Sequence, residues 1–189
     1  MSQTVLITGA SNGIGKACAR VFARKGYDLV LVARHREKLE AVKAELSEYD
    51  VQIKVIAMDL TGEDAAVDLY NDLVLDDISI DILVNNAGFG DHGAFHDSSW
   101  EKQKKMVLLN IVALMQMTYV FGQSMKRRKK GRILNVASIA GLCAGPYMST
   151  YYATKAFVLS FSESIDYELK DYNVEVSCLC PGPTKTGFM

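Results

Sequence analysis

The sequence predicts an α/β fold, a doubly wound parallel sheet, from three observations. Short apolar runs rich in β-branched residues alternate with amphipathic helical stretches along the whole chain. The runs are apolar at successive positions, as strands covered on both faces must be. The stretches between runs are long enough for helical crossovers, and right-handed crossovers place helices on both sides of one sheet. With 189 residues, 49% hydrophobic and 23% charged, the composition suits one domain with a well-formed core. No linker, low-complexity segment or repeat beyond the βα alternation divides it.

The elements follow in order. TVLITGA is a buried strand, and residues 14–25 are helical, closed by Gly26. DLVLVAR is the second strand and residues 37–49 the second helix. QIKVIAMDL is the third strand, followed by a helix over residues 63–74, and IDILVNNAG is the fourth strand. Residues 98–130 are mainly helical and are expected to form two helices. RILNVAS, a helix over residues 150–171 and VEVSCLC complete six strands. The sequence stops at PGPTKTGFM, just past the sixth strand, whose apolar residues would invite aggregation at a sheet edge. A further edge strand and a substrate lid are therefore expected in a longer chain.

A net charge of −1 supplies no field toward nucleic acid or an anionic membrane, so neither is expected as a partner. The one basic run, Lys126-Arg127-Arg128-Lys129-Lys130, precedes Gly131 and reads as a helix C-terminus, where cations complement the dipole. An anion patch is the competing reading. Cys18, Cys143, Cys178 and Cys180 lack metal-finger spacing and read as small hydrophobes in a reducing compartment. His92 and His96 flank Gly93, which suits a helical ligand pair poorly, and no metal site is expected. No signal peptide is evident, and no apolar stretch is read as approaching the ~20 residues of a membrane span. The expected location is the cytoplasm.

The chemistry begins at TGASNGIG, Thr8 to Gly15, between a strand and a helix. Its glycines are spaced G-x-x-x-G-x-G, not the G-x-G-x-x-G of the dinucleotide fingerprint. Glycine permits a tight turn and close approach of a ligand, and the N–H groups at the helix start face its phosphates. Gly9, Ser11, Asn12, Gly13, Ile14 and Gly15 are the expected contacts. In VLVARHRE, Arg34 stands at the end of strand two, where an acid would bind the ribose 2′-hydroxyl of NAD, and Arg36 follows. An arginine there suits the 2′-phosphate, so NADP(H) is expected over NAD(H). Asp59, ending strand three, is placed either to accept from the adenine amino group or to cap a helix.

Ligands of a doubly wound sheet bind beyond the C-terminal strand ends. NNAG at 85–88, Ser138 and YYATK at 151–155 all fall there. Tyr151 and Tyr152 lie four and three residues before Lys155, and both spacings bring side chains together on a helix. At ~100° per residue Tyr151 aligns with Lys155, Val158, Ser162, Ile165 and Leu169, a largely apolar stripe that should face the sheet. Tyr152 aligns with Ala156, Leu159, Glu163, Asp166 and Lys170, and is expected to point sideways, toward a neighbouring helix or subunit. Tyr151 is the expected proton-transfer residue.

TGxxxGxG at 8–15, NNAG at 85–88, Asn110 in LLNIVAL, Ser138, YxxxK at 151–155 and PG at 181–182 occur in one order and spacing. By these the sequence resembles the short-chain dehydrogenase/reductase family over essentially its whole length, apart from the family's final helix and strand. The resemblance implies a Rossmann-like NAD(P)-binding domain over residues 1–189, an oxidoreductase for CH–OH and C=O groups. It implies that Tyr151 is the general acid, its phenol lowered from about 10 by Lys155 and a positive nicotinamide. Lys155 would hold the nicotinamide ribose, Ser138 the substrate oxygen, and Asn110 a water that relays protons to Lys155. Asn86, Ala87 and Gly88 would pack along the cofactor, and Pro181, Gly182 and Thr186 would contact its nicotinamide half. The family usually forms homodimers or homotetramers through the long helix before strand five and the YxxxK helix.

Leu142, Cys143, Pro146, Tyr147 and Met148 after strand five, and Phe89 and Phe95 after strand four, suggest a hydrophobic small-molecule carbonyl or alcohol substrate. Packing against a lid or a partner would explain the same residues. The expected activity is NADP(H)-dependent reduction of a carbonyl or oxidation of a secondary alcohol. The alternatives are a 3-ketoacyl thioester reductase and a non-catalytic NADP(H) sensor, which would have no need of the Ser–Tyr–Lys set.

Overall fold

Six parallel strands carry the fold in a computed structural model that describes residues 2–184. They are β1 Thr4–Thr8, β2 Asp28–Ala33, β3 Ile53–Ala57, β4 Ile82–Asn85, β5 Gly131–Val136 and β6 Val174–Leu179, in the order β3-β2-β1-β4-β5-β6. The expected doubly wound sheet is present. Register makes its two faces. Val30, Leu6, Leu83, Ile133 and Val176 are paired neighbours in one row across the sheet. They share a core with α3 Ala65–Leu75 and the long helix α4 Trp100–Arg128. One residue further on, Leu31, Ile7, Val84 and Leu134 form the opposite row, packed with α1 Gly13–Arg24 and α2 Arg36–Glu45. Each buried Leu, Ile or Val contributes about 1.5–3 kcal/mol. Chain order reverses between β1 and β4, and that switch point opens a crevice at the C-terminal strand ends.

Three expectations need correction. The segment read as two helices is one continuous helix, α4. A six-residue π-turn, Leu108–Ala113, lies within it and absorbs the irregularity without a break. Nor does the sequence lack a long apolar stretch. By length and composition α4 could cross a membrane, but Met106, Ala113, Leu114, Met117, Phe121 and Met125 are buried in this fold. Finally, β6 is not apolar on both faces. Val174 and Val176 face the core, whereas Glu175, Ser177 and Leu179 are exposed among the described residues. The second apolar row ends at Ser177, opposite Leu134, because no described helix covers that face.

The basic run closes α4 as expected of a helix C-terminus. Arg128 donates to the Ile80 carbonyl, Lys130 lies 3.3 Å from the Asp81 carboxylate, and Lys126 sits 4.1 Å above the Tyr172 ring. Lys129 takes the left-handed cap conformation, φ 52°.

Candidate active site

The glycine turn is held by the end of β4. The Thr8 hydroxyl accepts the backbone N–H groups of Asn86 and Ala87 at 2.9 and 3.0 Å. The Asn86 amide donates to the carbonyls of Thr8 and Gly9 at 3.0 and 3.2 Å. These contacts leave no room for a side chain at Gly9 or Gly15. Gly9 has φ +64°, and a Cβ on it would stand 2.8 Å from Asn86 Nδ2. A Cβ on Gly15 would collide with the Gly9 carbonyl oxygen and stand 2.5 Å from the same nitrogen. The turn leads into α1, whose first turn carries no acidic residue, so its N–H groups and positive dipole end suit an anion.

At the other end, Ser138 leaves β5 in an extended conformation, and its Oγ accepts the Ala140 N–H at 3.1 Å. Helix α5, Ser149–Leu169, brings Tyr151 to it, and the two side chains are hydrogen-bonded. Lys155, Val158 and Ser162 are buried, so the predicted stripe does face the sheet. Lys155 Nζ donates to the Val136 carbonyl at 2.8 Å and lies 5.9 Å from the Tyr151 ring centroid. Burial lowers the Lys155 pKa to about 8, against a smaller upward pull from the thiols of Cys178 and Cys180. Burial also raises the Tyr151 phenol, opposed by the Ser138 hydrogen bond and aided by Tyr152. The lowered phenol expected from the sequence is therefore not found. Desolvation outweighs what the protein's own groups supply, and the nicotinamide charge was part of that expectation.

Within the chain, Tyr152 packs on a loop rather than on a neighbouring helix. A Cβ on Gly145 would stand 2.5 Å from its ring, so Tyr152 lies on the loop after β5, edge-on to Tyr151 at 6.2 Å.

One cleft of about 550 Å³ runs between the two ends. Gly9, Asn12, Gly13, Ile14, Asn86, Ala87, Gly88, Ser138, Tyr151, Lys155, Pro181 and Gly182 line it, as does Tyr152. Ser11 and Gly15 support the turn without lining the cleft. Arg34 and Asp59 are exposed beyond the ends of β2 and β3. The Asp59 carboxylate accepts the amide and hydroxyl of Thr61 at 3.0 and 2.9 Å, and these bonds lower its pKa. Asn110 is buried in the π-turn. Its amide donates to the Phe89 carbonyl at 2.9 Å and to Thr154 Oγ1 at 3.1 Å, and it accepts the Phe89 N–H at 3.1 Å. Thr154 in turn donates to the Tyr151 carbonyl at 2.7 Å. Thus Asn110 braces the loop after β4 against the turn of α5 that carries Tyr151. Thr186 lies outside the described residues.

Sequence reasoning passed over Thr8, Val136, Ile139 and Thr154. Thr8 left a signal, a hydroxyl at a strand end directly before the glycine turn. The Val136 carbonyl left none, since any residue could supply it.

A cleft bounded by a backbone cradle at one end and by a phenol, a hydroxyl and an ammonium at the other defines a dinucleotide-dependent oxidoreductase. A family profile described as "short chain dehydrogenase" matches residues 3–189, and the chain belongs to the short-chain dehydrogenase/reductase family. It is similar to a short-chain dehydrogenase from Sphingobium yanoikuyae solved with NADPH: 37% identity, TM-score 0.92, covering 98% of this chain and 73% of that one. The bulky-bulky ketone specific alcohol dehydrogenase from Comamonas testosteroni is also 37% identical, with TM-score 0.91, over 97% of this chain and 74% of that one. A very-long-chain 3-oxoacyl-CoA reductase of Coccidioides immitis (strain RS) is 35% identical over 90% of this chain but only 50% of its own length. The chain thus spans half the length of that curated relative.

Proposed function

We propose that this chain is an NADP(H)-dependent reductase of hydrophobic ketones, running in reverse on secondary alcohols, with Tyr151 as the proton donor. The observation that carries it is the Ser138–Tyr151 hydrogen bond with the buried Lys155 ammonium close by, in a cleft continuous with the glycine turn. The turn's close contacts at Gly9 and Gly15 fit a dinucleotide pyrophosphate, with the α1 N-terminus facing it. Arg34, with no acid at the end of β2, supports NADP(H), as does the NADPH in the Sphingobium relative.

When bound, the reduced nicotinamide supplies the hydride. The protein does the rest. Ser138, whose Oγ is fixed by the Ala140 N–H, can donate to the substrate oxygen. Tyr151 gives its phenolic proton to that oxygen as negative charge develops on it. A phenol raised by burial remains protonated at neutral pH, as an acid must. Lys155, charged below about pH 8, stabilises the phenolate that remains. Asn110 holds the α5 turn in place through Thr154, and a water-borne proton path from Lys155 belongs to the same proposal. The exposed Val112, Met115 and Tyr119 on α4 support pairing of two copies along that helix.

The test is a steady-state screen of ketones and secondary alcohols with NADPH and NADP⁺, repeated with Tyr151→Phe. Loss of one general acid should lower kcat by about 10²–10⁴, with NADPH affinity unchanged. Near-normal turnover in that variant refutes the role of Tyr151. A second reading, reduction of 3-oxoacyl thioesters, is favoured by the fungal relative. Higher kcat/KM for a 3-oxoacyl-CoA than for any ketone in the screen would select it.

A further inference from the structure

Beside Lys155, β6 ends in two thiols that the proposed reaction does not use. Cys178 pairs with Asn135 of β5, and Cys180 follows the last residue of the strand, Leu179. In an extended chain, residues two apart share one face, with Cα atoms about 6.6 Å apart. Both cysteines pack against the cluster of Leu114, Ala137 and Val158. Their thiols are hydrogen-bonded to each other, and Cys178 is also bonded to the Ser162 hydroxyl of α5. Burial lowers the Lys155 pKa, and both thiols lie near enough to oppose it. Each cysteine is only partly buried, so a small oxidant has access to both.

Disulfides span Cα separations of about 4.4–6.8 Å, and this pair stands at the long end of that range. Closing the bond therefore draws Cys180 toward Cys178. The backbone on either side of Cys180 is tied elsewhere. The Leu179 carbonyl accepts the Ala137 N–H at 2.8 Å, and the Pro181 carbonyl accepts the Ile139 N–H at 3.1 Å. Those bonds flank Ser138, and Pro181 and Gly182 line the cleft. A shift at Cys180 is thus passed directly to a wall of the cleft.

We propose that Cys178 and Cys180 form a modification site, which hydrogen peroxide converts to a disulfide that displaces the Pro181–Gly182 wall. The Cys180 sulfur, past the strand end, attacks one peroxide oxygen and the O–O bond breaks. The departing hydroxide takes the thiol proton and leaves as water, and Cys180 becomes a sulfenic acid. The Cys178 sulfur then attacks the Cys180 sulfur and the S–O bond breaks. The hydroxide released takes the Cys178 proton and leaves as a second water. Two thiols lose two electrons in all, and one peroxide becomes two waters. Cys178 suits the second step, because burial raises its pKa and keeps it a thiol until the sulfenic acid forms beside it.

The test treats the reduced full chain with a small excess of hydrogen peroxide, then blocks free thiols with N-ethylmaleimide. The tryptic peptide that begins at Asp171 should be about 2 Da lighter and carry no maleimide. Dithiothreitol should restore both thiols. NADPH affinity, followed by fluorescence, should fall about tenfold on oxidation and return on reduction. Cys178→Ser and Cys180→Ser are each made with Cys143→Ser, which removes the exposed thiol. Both should bind NADPH within about twofold of wild type, before and after peroxide. Maleimide on both cysteines of the treated wild type overturns the site, as does a sulfinic acid on Cys180 without a disulfide. An NADPH affinity that is unchanged in the oxidised wild type, or that falls equally in either serine variant, overturns the link to the cleft wall. The wild-type peptide mass decides on the site without any substitution. A disulfide in a chain whose reduced form binds no NADPH upholds the site and refutes the cofactor reading instead.

Discussion

At the phosphate turn, Thr8 and Asn86 tie two strand ends together through four hydrogen bonds, and glycines fill spaces that admit no Cβ. At the substrate mouth, Ile139, Leu142 and Tyr147 are exposed, and one backbone hydrogen bond and a ring stack join the loops. The first region is fixed by side-chain-to-backbone bonds between strand ends and has one geometry. The second is built from side chains on loops and admits many. A shared cofactor needs the first kind of construction, and a variable substrate needs the second.

The largest effect expected on this contrast comes from Gly15→Ala. The new methyl would press on the Gly9 carbonyl and on Asn86 Nδ2, both fixed by the β1–β4 tie. Overpacking of this kind costs roughly 1–3 kcal/mol of stability. NADPH affinity should fall about 100-fold or more, since the turn itself must shift. Fluorescence titration with NADPH measures this directly. A Gly15→Ala protein that binds NADPH as wild type does would show that the turn is pliable and would break the contrast.

The same contrast explains what the sequence revealed. The order of apolar runs, the glycine spacing and the Tyr151 stripe are local patterns, and each survives in the structure: the sheet, the turn and the buried face of α5. Tyr152 shows where local pattern stops. Its helical phase is sideways, yet its ring lies on Gly145, because the loop after β5 folds back over it. The direction of the Tyr151 shift within the protein's own groups is a similar case. Sequence spacing places Lys155 nearby, but the ammonium turns to the Val136 carbonyl, and desolvation sets the direction of the shift. The clasp between Gly93 and Tyr147 joins residues far apart in the chain and has no sequence signature.

Lys155 sits where the two constructions meet, and its burial can be read from stability. Its folded pKa of about 8 lies below the ordinary 10.5. Below pH 8 the lysine is charged in both states, and the full cost of burying the cation is present. Between about pH 8 and 10.5 the unfolded chain binds a proton that the folded one has released, so folding stability rises with pH. Measured as wild type minus Lys155→Met in urea denaturation, the difference should rise by up to about 3 kcal/mol across that window. A flat difference would mean that Lys155 is hydrated rather than buried, and the catalytic end would then resemble the open mouth.

The smallest effect is expected from Arg34→Asp, which tests the outer edge of the cofactor region. Arg34 is exposed and lies outside the cleft, so no tight packing supports it. Its charge reaches Asp59, whose carboxyl it helps to hold low after the larger effect of the Thr61 hydrogen bonds. If Arg34 receives a 2′-phosphate, the substitution removes one charge-assisted contact and adds a repulsion. Aspartate there can instead accept from a free ribose 2′-hydroxyl. The ratio of NADPH to NADH affinity should fall about tenfold at low salt, the size of one charged hydrogen bond. The fall should shrink as ionic strength rises, because both partners stand in solvent. Thermal stability should not change. An unaltered ratio would remove Arg34 from cofactor choice while leaving the glycine turn untouched, since the turn meets β2 through a backbone bond, the Ala10 N–H to the Val32 carbonyl at 3.3 Å, that involves neither Arg34 nor a charge.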